Sequence, residues 1–167
     1  MYKNILALVI IVSFSYAQNN WLGGNLSKIN EISIDVSVNG LEDPMWEKKV
    51  MQVSLLFLER FKLKINPDRF SPSIDIRISV IEPGDNPLVS YNIDLSVYDF
   101  FVSKDDYTKN YSKKKIIKKF KIGKIYQQNV LGQYSNELMR ADMENTLIRL
   151  LDSFIDQWYR DNPLKQF

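Results

Sequence analysis

The sequence predicts an α+β fold: a two-layer sandwich in which two long helices lie on one face of a mostly antiparallel four-stranded sheet, in the order β-α-β-β-β-α. Three observations predict it. Three segments alternate apolar and polar residues and a fourth does so more loosely, the signature of strands with one wet face. Two longer segments repeat apolar residues at helical spacing. The helical stripes and the apolar strand faces must then cover one another, which gives two layers.

Residues 18–30 are polar and contain Gly23 and Gly24, and read as a flexible N-terminal arm. The single folded domain is expected over 31–163. Its first strand is Ile32-Ser-Ile-Asp-Val-Ser-Val38, with the four apolar side chains on one face, and Asn39-Gly40 ends it. Asp43-Pro44 is a helix start, the Asp as N-cap and the Pro at the first helical position. Trp46, Val50, Val53, Phe57 and Phe61 then trace one stripe, widened by Leu55, Leu56 and Leu58, and Asn66-Pro67 closes the element.

Ile74, Ile76, Ile78 and Val80 alternate with Asp75, Arg77 and Ser79. After the turn-forming Glu82–Pro87, Val89, Tyr91, Ile93, Leu95 and Val97 alternate with polar residues, so these two strands form an antiparallel hairpin. Ile125 to Gln133 reads as a fourth strand, with Gly132 as a bulge or a close backbone approach. Met139, Met143, Leu147, Leu150, Phe154 and Trp158 form the second helical stripe, capped by Ser135 or Asn136 and stopped at Asn162-Pro163.

The chain begins with a signal-peptide pattern over residues 1–17. Lys3 supplies the positive end, Ile5–Val12 is an unbroken apolar run, and Ser15 and Ala17 are the small residues of a cleavage site ahead of Gln18. The run is shorter than the ~20 residues of a membrane span. The expectation is an exported chain of about 150 residues, periplasmic or secreted, with no transmembrane segment after cleavage and a size typical of one domain. No Cys follows the run, which excludes lipoprotein processing.

The 167 residues include no His and no Cys. That removes disulfides, thiolate nucleophiles, imidazole bases, Ser-His-Asp triads and His- or Cys-ligated metals. No phosphate-binding loop, dinucleotide fingerprint, nucleophile elbow or calcium-loop motif is present, and no cofactor or metal is implied. The expected class is non-enzymatic.

Charge is distributed unevenly. Residues 103–124 hold nine Lys and two Asp, a net of +7, against −6 for the rest of the chain from Gln18 onward. Lys113, Lys114, Lys115, Lys118, Lys119 and Lys121 interleave with Ile116, Ile117 and Phe120. These nine residues are the candidate binding surface, suited to an envelope protein or an anionic lipid surface. The same pattern also fits a solvated loop whose lysines keep a strand edge from pairing. Nucleic acid is not the expected partner, because no Arg occurs among the nine basic residues.

Other constellations have plainer readings. Asp152 and Asp156 are four apart on one helical face, the spacing of a solvated acidic pair as well as of a carboxylate catalyst. Arg77 is placed to pair with Asp35 or Asp94 across the sheet. Trp46, Tyr98, Phe101 and Trp158 would line a pocket between helices and sheet if the protein carried a small lipid or aromatic ligand, the alternative function.

The exported start and the β-α-β-β-β-α order resemble small envelope accessory proteins of Gram-negative bacteria, such as the lipopolysaccharide-assembly lipoprotein. Gly132, the apolar helix through Phe154 and Tyr159, and Asn162-Pro163 carry the local part of the likeness. The resemblance implies a small exported α+β accessory module. The lipid-bearing Cys of those lipoproteins is absent here, so it implies no lipid anchor and carries over no site residue.

Overall fold

The structure is a computed structural model that describes residues 24–41, 43–68, 70, 72–81, 88–109 and 119–165. The signal-peptide pattern, the first part of the arm and the turn at 82–87 lie outside the described residues. Strand β1 (Glu31–Asn39) leads into helix α1 (Pro44–Arg60), short strand β2 (Lys64–Ile65), β3 (Ser73–Ile81), β4 (Leu88–Phe101), the one-turn helix α2 (Lys104–Thr108), β5 (Lys121–Ser135) and helix α3 (Asn136–Asp161). A 3₁₀ turn follows at Pro163–Lys165.

The sheet is five-stranded and mixed, in the order β2-β1-β3-β4-β5. This corrects the four-stranded, mostly antiparallel expectation. β1 pairs parallel with both β2 and β3, while β3–β4 and β4–β5 are antiparallel. A polar outer face does not set strand direction. The connection does: α1 carries the chain back along the sheet, so β3 enters in the same sense as β1. Only the consecutive strands β3, β4 and β5 reverse.

The helix α1 also ends earlier than Asn66-Pro67 suggested. Lys62 adopts a left-handed φ of 62°, its N–H donates to the Glu59 carbonyl, and the Leu63 N–H donates back to the Leu58 carbonyl. That is a Schellman closure with Lys in the position glycine usually takes. It turns Leu63 into the core and delivers Lys64-Ile65 to the edge of β1, where Lys64 pairs with Glu31 and the Asn66 N–H donates to the Ile32 carbonyl. The buried stripe of α1 is Trp46, Val50, Ser54 and Leu58, one residue out of step with the expected stripe beyond Val50, and Leu56 points to solvent. At the other end the Asp43 carboxylate accepts from the Met45 and Trp46 N–H groups, as the Asp-Pro pair predicts.

The core is one cluster between the sheet and the two long helices. It takes Ile74, Ile76, Ile78 and Val80 from β3, Val89, Tyr91, Ile93, Leu95 and Val97 from β4, and the predicted face of α3 through Trp158. Gly132 is a close approach. A Cβ there would sit 2.2 Å from the Tyr91 ring, its cross-strand partner. The buried Tyr91 ring therefore crosses β5 and sends its hydroxyl to Asp142 and Thr146 of α3. Burial, reinforced by the hydrogen bond to Asp142, pushes that phenol above its ordinary pKa. The irregularity in β5 lies at Ile125, opposite the step from Val97 to Tyr98.

Of the arm expected over 18–30, residues 24–30 are described, and they are docked. Leu26 and Ile29 are buried. The Asp161 carboxylate accepts from the Gly24 and Leu26 N–H groups at 2.9 Å each. Asn162 accepts from the Lys28 N–H at 2.7 Å and donates to the Leu26 carbonyl at 2.8 Å. The Trp158 indole N–H donates to the Ile29 carbonyl at 2.9 Å. The end of α3 thus supplies the partners that this backbone stretch lacks. Asp161→Ala leaves two backbone donors without their charged acceptor and is expected to cost about 2–3 kcal/mol. Limited proteolysis checks it: cleavage near Gly24–Ile29 should accelerate before global unfolding does.

Candidate functional site

The site is built at the end of the sheet where β4 gives way to β5. β4 runs four residues past the irregularity, pairing Tyr98 with Lys124, Asp99 with Gly123, Phe100 with Ile122 and Phe101 with Lys121. Inward residues of β4 fall at odd numbers through Val97, so Tyr98 and Phe100 lie on the face opposite the long helices. Gly123 has no side chain for a reason visible in the packing: a Cβ would meet the Phe101 ring at 2.4 Å.

Helix α2 follows at once. The Ser103 hydroxyl accepts from the Asp106 N–H at 3.2 Å and donates to the Asp106 carboxylate at 2.7 Å. That hydrogen bond holds the Asp106 carboxyl below its usual range against the opposing effect of desolvation, and Lys119, Lys109 and Lys121 lower it further. Lys119 stands 4.0 Å from Asp106. Lys109 and Lys119, on either side of residues 110–118 in the sequence, therefore both act on this carboxylate.

Three aromatic rings meet beside it. Phe100 stacks on Phe120 with ring centres 6.0 Å apart, and Phe70 tilts against Phe100 at 6.4 Å. All three are exposed, at 74% for Phe70 and 46% for each of the other two, and Ile122, also exposed, sits across from Phe100. The Lys124 ammonium lies 5.8 Å from the centre of the Tyr98 ring. The result is an apolar patch on the polar side of the sheet, with Lys119 beside Phe120 and Lys124 over the Tyr98 ring, whereas Lys121 pairs with Phe101 on the other face.

Of the nine sequence-predicted binding residues, Lys119 and Phe120 are at this patch, and Lys121 is next to them in β5 but pairs with Phe101 on the other face. Lys113, Lys114, Lys115, Ile116, Ile117 and Lys118 lie outside the described residues. Phe70 and Ile122 were not singled out by sequence reasoning. Ile122 needed the β4–β5 register, and Phe70 arrives from a loop ahead of β3 with no local signal to mark it.

The remaining candidates are dispersed. Arg77 binds Asp75 of its own strand at 2.6 Å, although Asp94 is its register partner. Asp94 accepts instead from Ser96 and Gln127. Asp152 and Asp156 are both on the solvent side of α3, and no group of three or more acidic side chains is placed to hold a metal among the described residues. The four proposed pocket-lining residues do not converge. Trp46 and Trp158 are core, whereas Tyr98 lies on the opposite face of the sheet. The recess bounded by Trp46, Val50, Ile78, Met143 and Leu147 holds about 10 Å³, room for about one water.

No helix among the described residues is long and apolar enough to cross a membrane. No protein-family model matches the chain. No curated protein matches it either. Among solved structures, a minor lipoprotein from Acinetobacter baumannii is similar at 10% identity over 83% of this chain and 94% of its own, with a TM-score of 0.29. A likeness at that level does not establish a shared fold.

Proposed function

We propose that this protein is an exported, non-enzymatic accessory or adaptor of the bacterial cell envelope that binds an anionic envelope component through residues 103–124. The observation that carries the reading is the cluster of exposed rings, Phe100 stacked on Phe120 and Phe70 against Phe100, beside Lys119, which stands 4.0 Å from Asp106. A segment of net charge +7, against −6 for the rest of the chain from Gln18 onward, gives an attraction to an anionic surface that salt screens over about 8–10 Å at physiological ionic strength. The ligand-carrier alternative draws no support from the small recess near Trp46.

A pull-down from envelope extract tests the reading, using the chain from Gln18 onward, which contains every core residue among the described residues. Partners are expected to be held at low salt and weakened sharply at about 500 mM salt, where the screening length falls to roughly 4 Å. Capture that is indifferent to salt overturns the basic segment as the contact surface.

A further inference from the structure

We infer that Phe70, Phe100, Phe120 and Ile122 insert into the headgroup–acyl boundary of an anionic phospholipid bilayer, with Lys119 and Lys124 holding lipid phosphates beside them. The inference rests on the reading of the basic segment as the contact surface and names what it contacts.

The patch is contiguous and comes from three separate stretches of chain, with ring centres 6.0 and 6.4 Å apart. Single exposed apolar residues are ordinary on a protein surface, but a contiguous patch rimmed by charge marks a contact site. It lies on the face without long helices, whose other side chains are mostly Ser, Asn, Asp and Gln, so these rings contribute nothing to the core. The charge around it complements an anionic surface.

The residue types favour a bilayer over a protein. Protein interfaces are depleted in Lys at their core and enriched in Arg. This segment uses Lys alone. An ammonium on a flexible stem meets phosphates with no fixed geometry, and the stem lies along apolar surface while its head stays in water. Phe beside Lys at a sheet end is then suited to a surface that is fluid as well as charged.

Sedimentation with vesicles tests this with the chain from Gln18 onward. The vesicles are phosphatidylcholine alone, or phosphatidylcholine with about one third phosphatidylglycerol, at about 50 mM salt. Binding is expected to the anionic vesicles only. Phe70→Ser, Phe100→Ser and Phe120→Ser together are expected to weaken it by about tenfold or more, with the thermal unfolding transition of the domain retained. Phe120→Trp is expected to shift its emission to the blue when anionic vesicles are added. Unchanged binding by the triple variant, or no emission shift, overturns insertion while leaving a purely electrostatic contact intact. No sedimentation of the unaltered chain with anionic vesicles overturns the bilayer as partner. Salt-sensitive capture of a protein from extract would then show that the basic-segment reading survives without it.

Discussion

Changing Lys113, Lys114, Lys115, Lys118, Lys119 and Lys121 together to Glu is expected to abolish binding to anionic vesicles and to envelope extract while leaving the domain folded. The substitution takes segment 103–124 from +7 to −5. Each Lys near an anionic surface contributes about 1 kcal/mol, so six lost attractions alone amount to roughly four orders of magnitude in affinity. The new carboxylates add repulsion. The fold should tolerate this. Lys119 and Lys121 are exposed, and Lys119 meets Asp106 only at 4.0 Å with half its side chain in water, a pairing of little stabilising value. Vesicle sedimentation and circular dichroism read the two halves of the expectation. Retained binding by a folded variant would remove the basic segment from the function.

Gly40→Ala is expected to be the most damaging single methyl group in the described domain. Gly40 ends β1 with φ +81°, and a Cβ there would lie 2.0 Å from the Val80 carbonyl oxygen and 3.0 Å from its carbon. That obstacle is backbone, part of the β3 strand that pairs with β1, so it cannot swing aside. The left-handed backbone costs an Ala about 1–2 kcal/mol by itself. Overpacking adds about 1–3 kcal/mol more. A total of about 3 kcal/mol lowers Tm by roughly 10 °C for a domain of this size. Gly24 is the control. It shares a positive φ, +93°, but a Cβ there meets nothing within 4 Å. Gly24→Ala should cost only the conformational part, about 1–2 kcal/mol. Equal losses at the two positions would show that Val80 is not the obstacle.

Much of the fold was legible in the sequence because burial on one face writes a periodicity. The alternation in β3 and β4 and the apolar stripe of α3 emerged as read, since each of these elements puts a single face against the core. The direction of β1 against β3 was not legible from that pattern, because alternation is the same in parallel and antiparallel pairs. β2 escaped because two residues are too few to alternate, and its place depends on the left-handed turn at Lys62. The stripe of α1 was misphased for another reason: so many apolar residues surround Leu55 that hydrophobicity no longer marks one face, and the small Ser54 is buried where Leu56 is not. At the candidate site the charge was plain in the composition, but the aromatic patch was not. Phe70 and Phe100 are thirty residues apart, and only the strand pairing brings them together.

The docking of residues 24–29 on the end of α3 closes the folded unit on itself. Gly24 and Asp161, separated by 137 positions in the chain, share a hydrogen bond of 2.9 Å. The domain is therefore a near-ring, entered and left at almost the same point. Such a unit can be spliced into a surface loop of another protein, or joined end to end and reopened elsewhere, with little distortion. A tether attached ahead of Gly24 and a fusion attached beyond Asn162 would radiate from one spot.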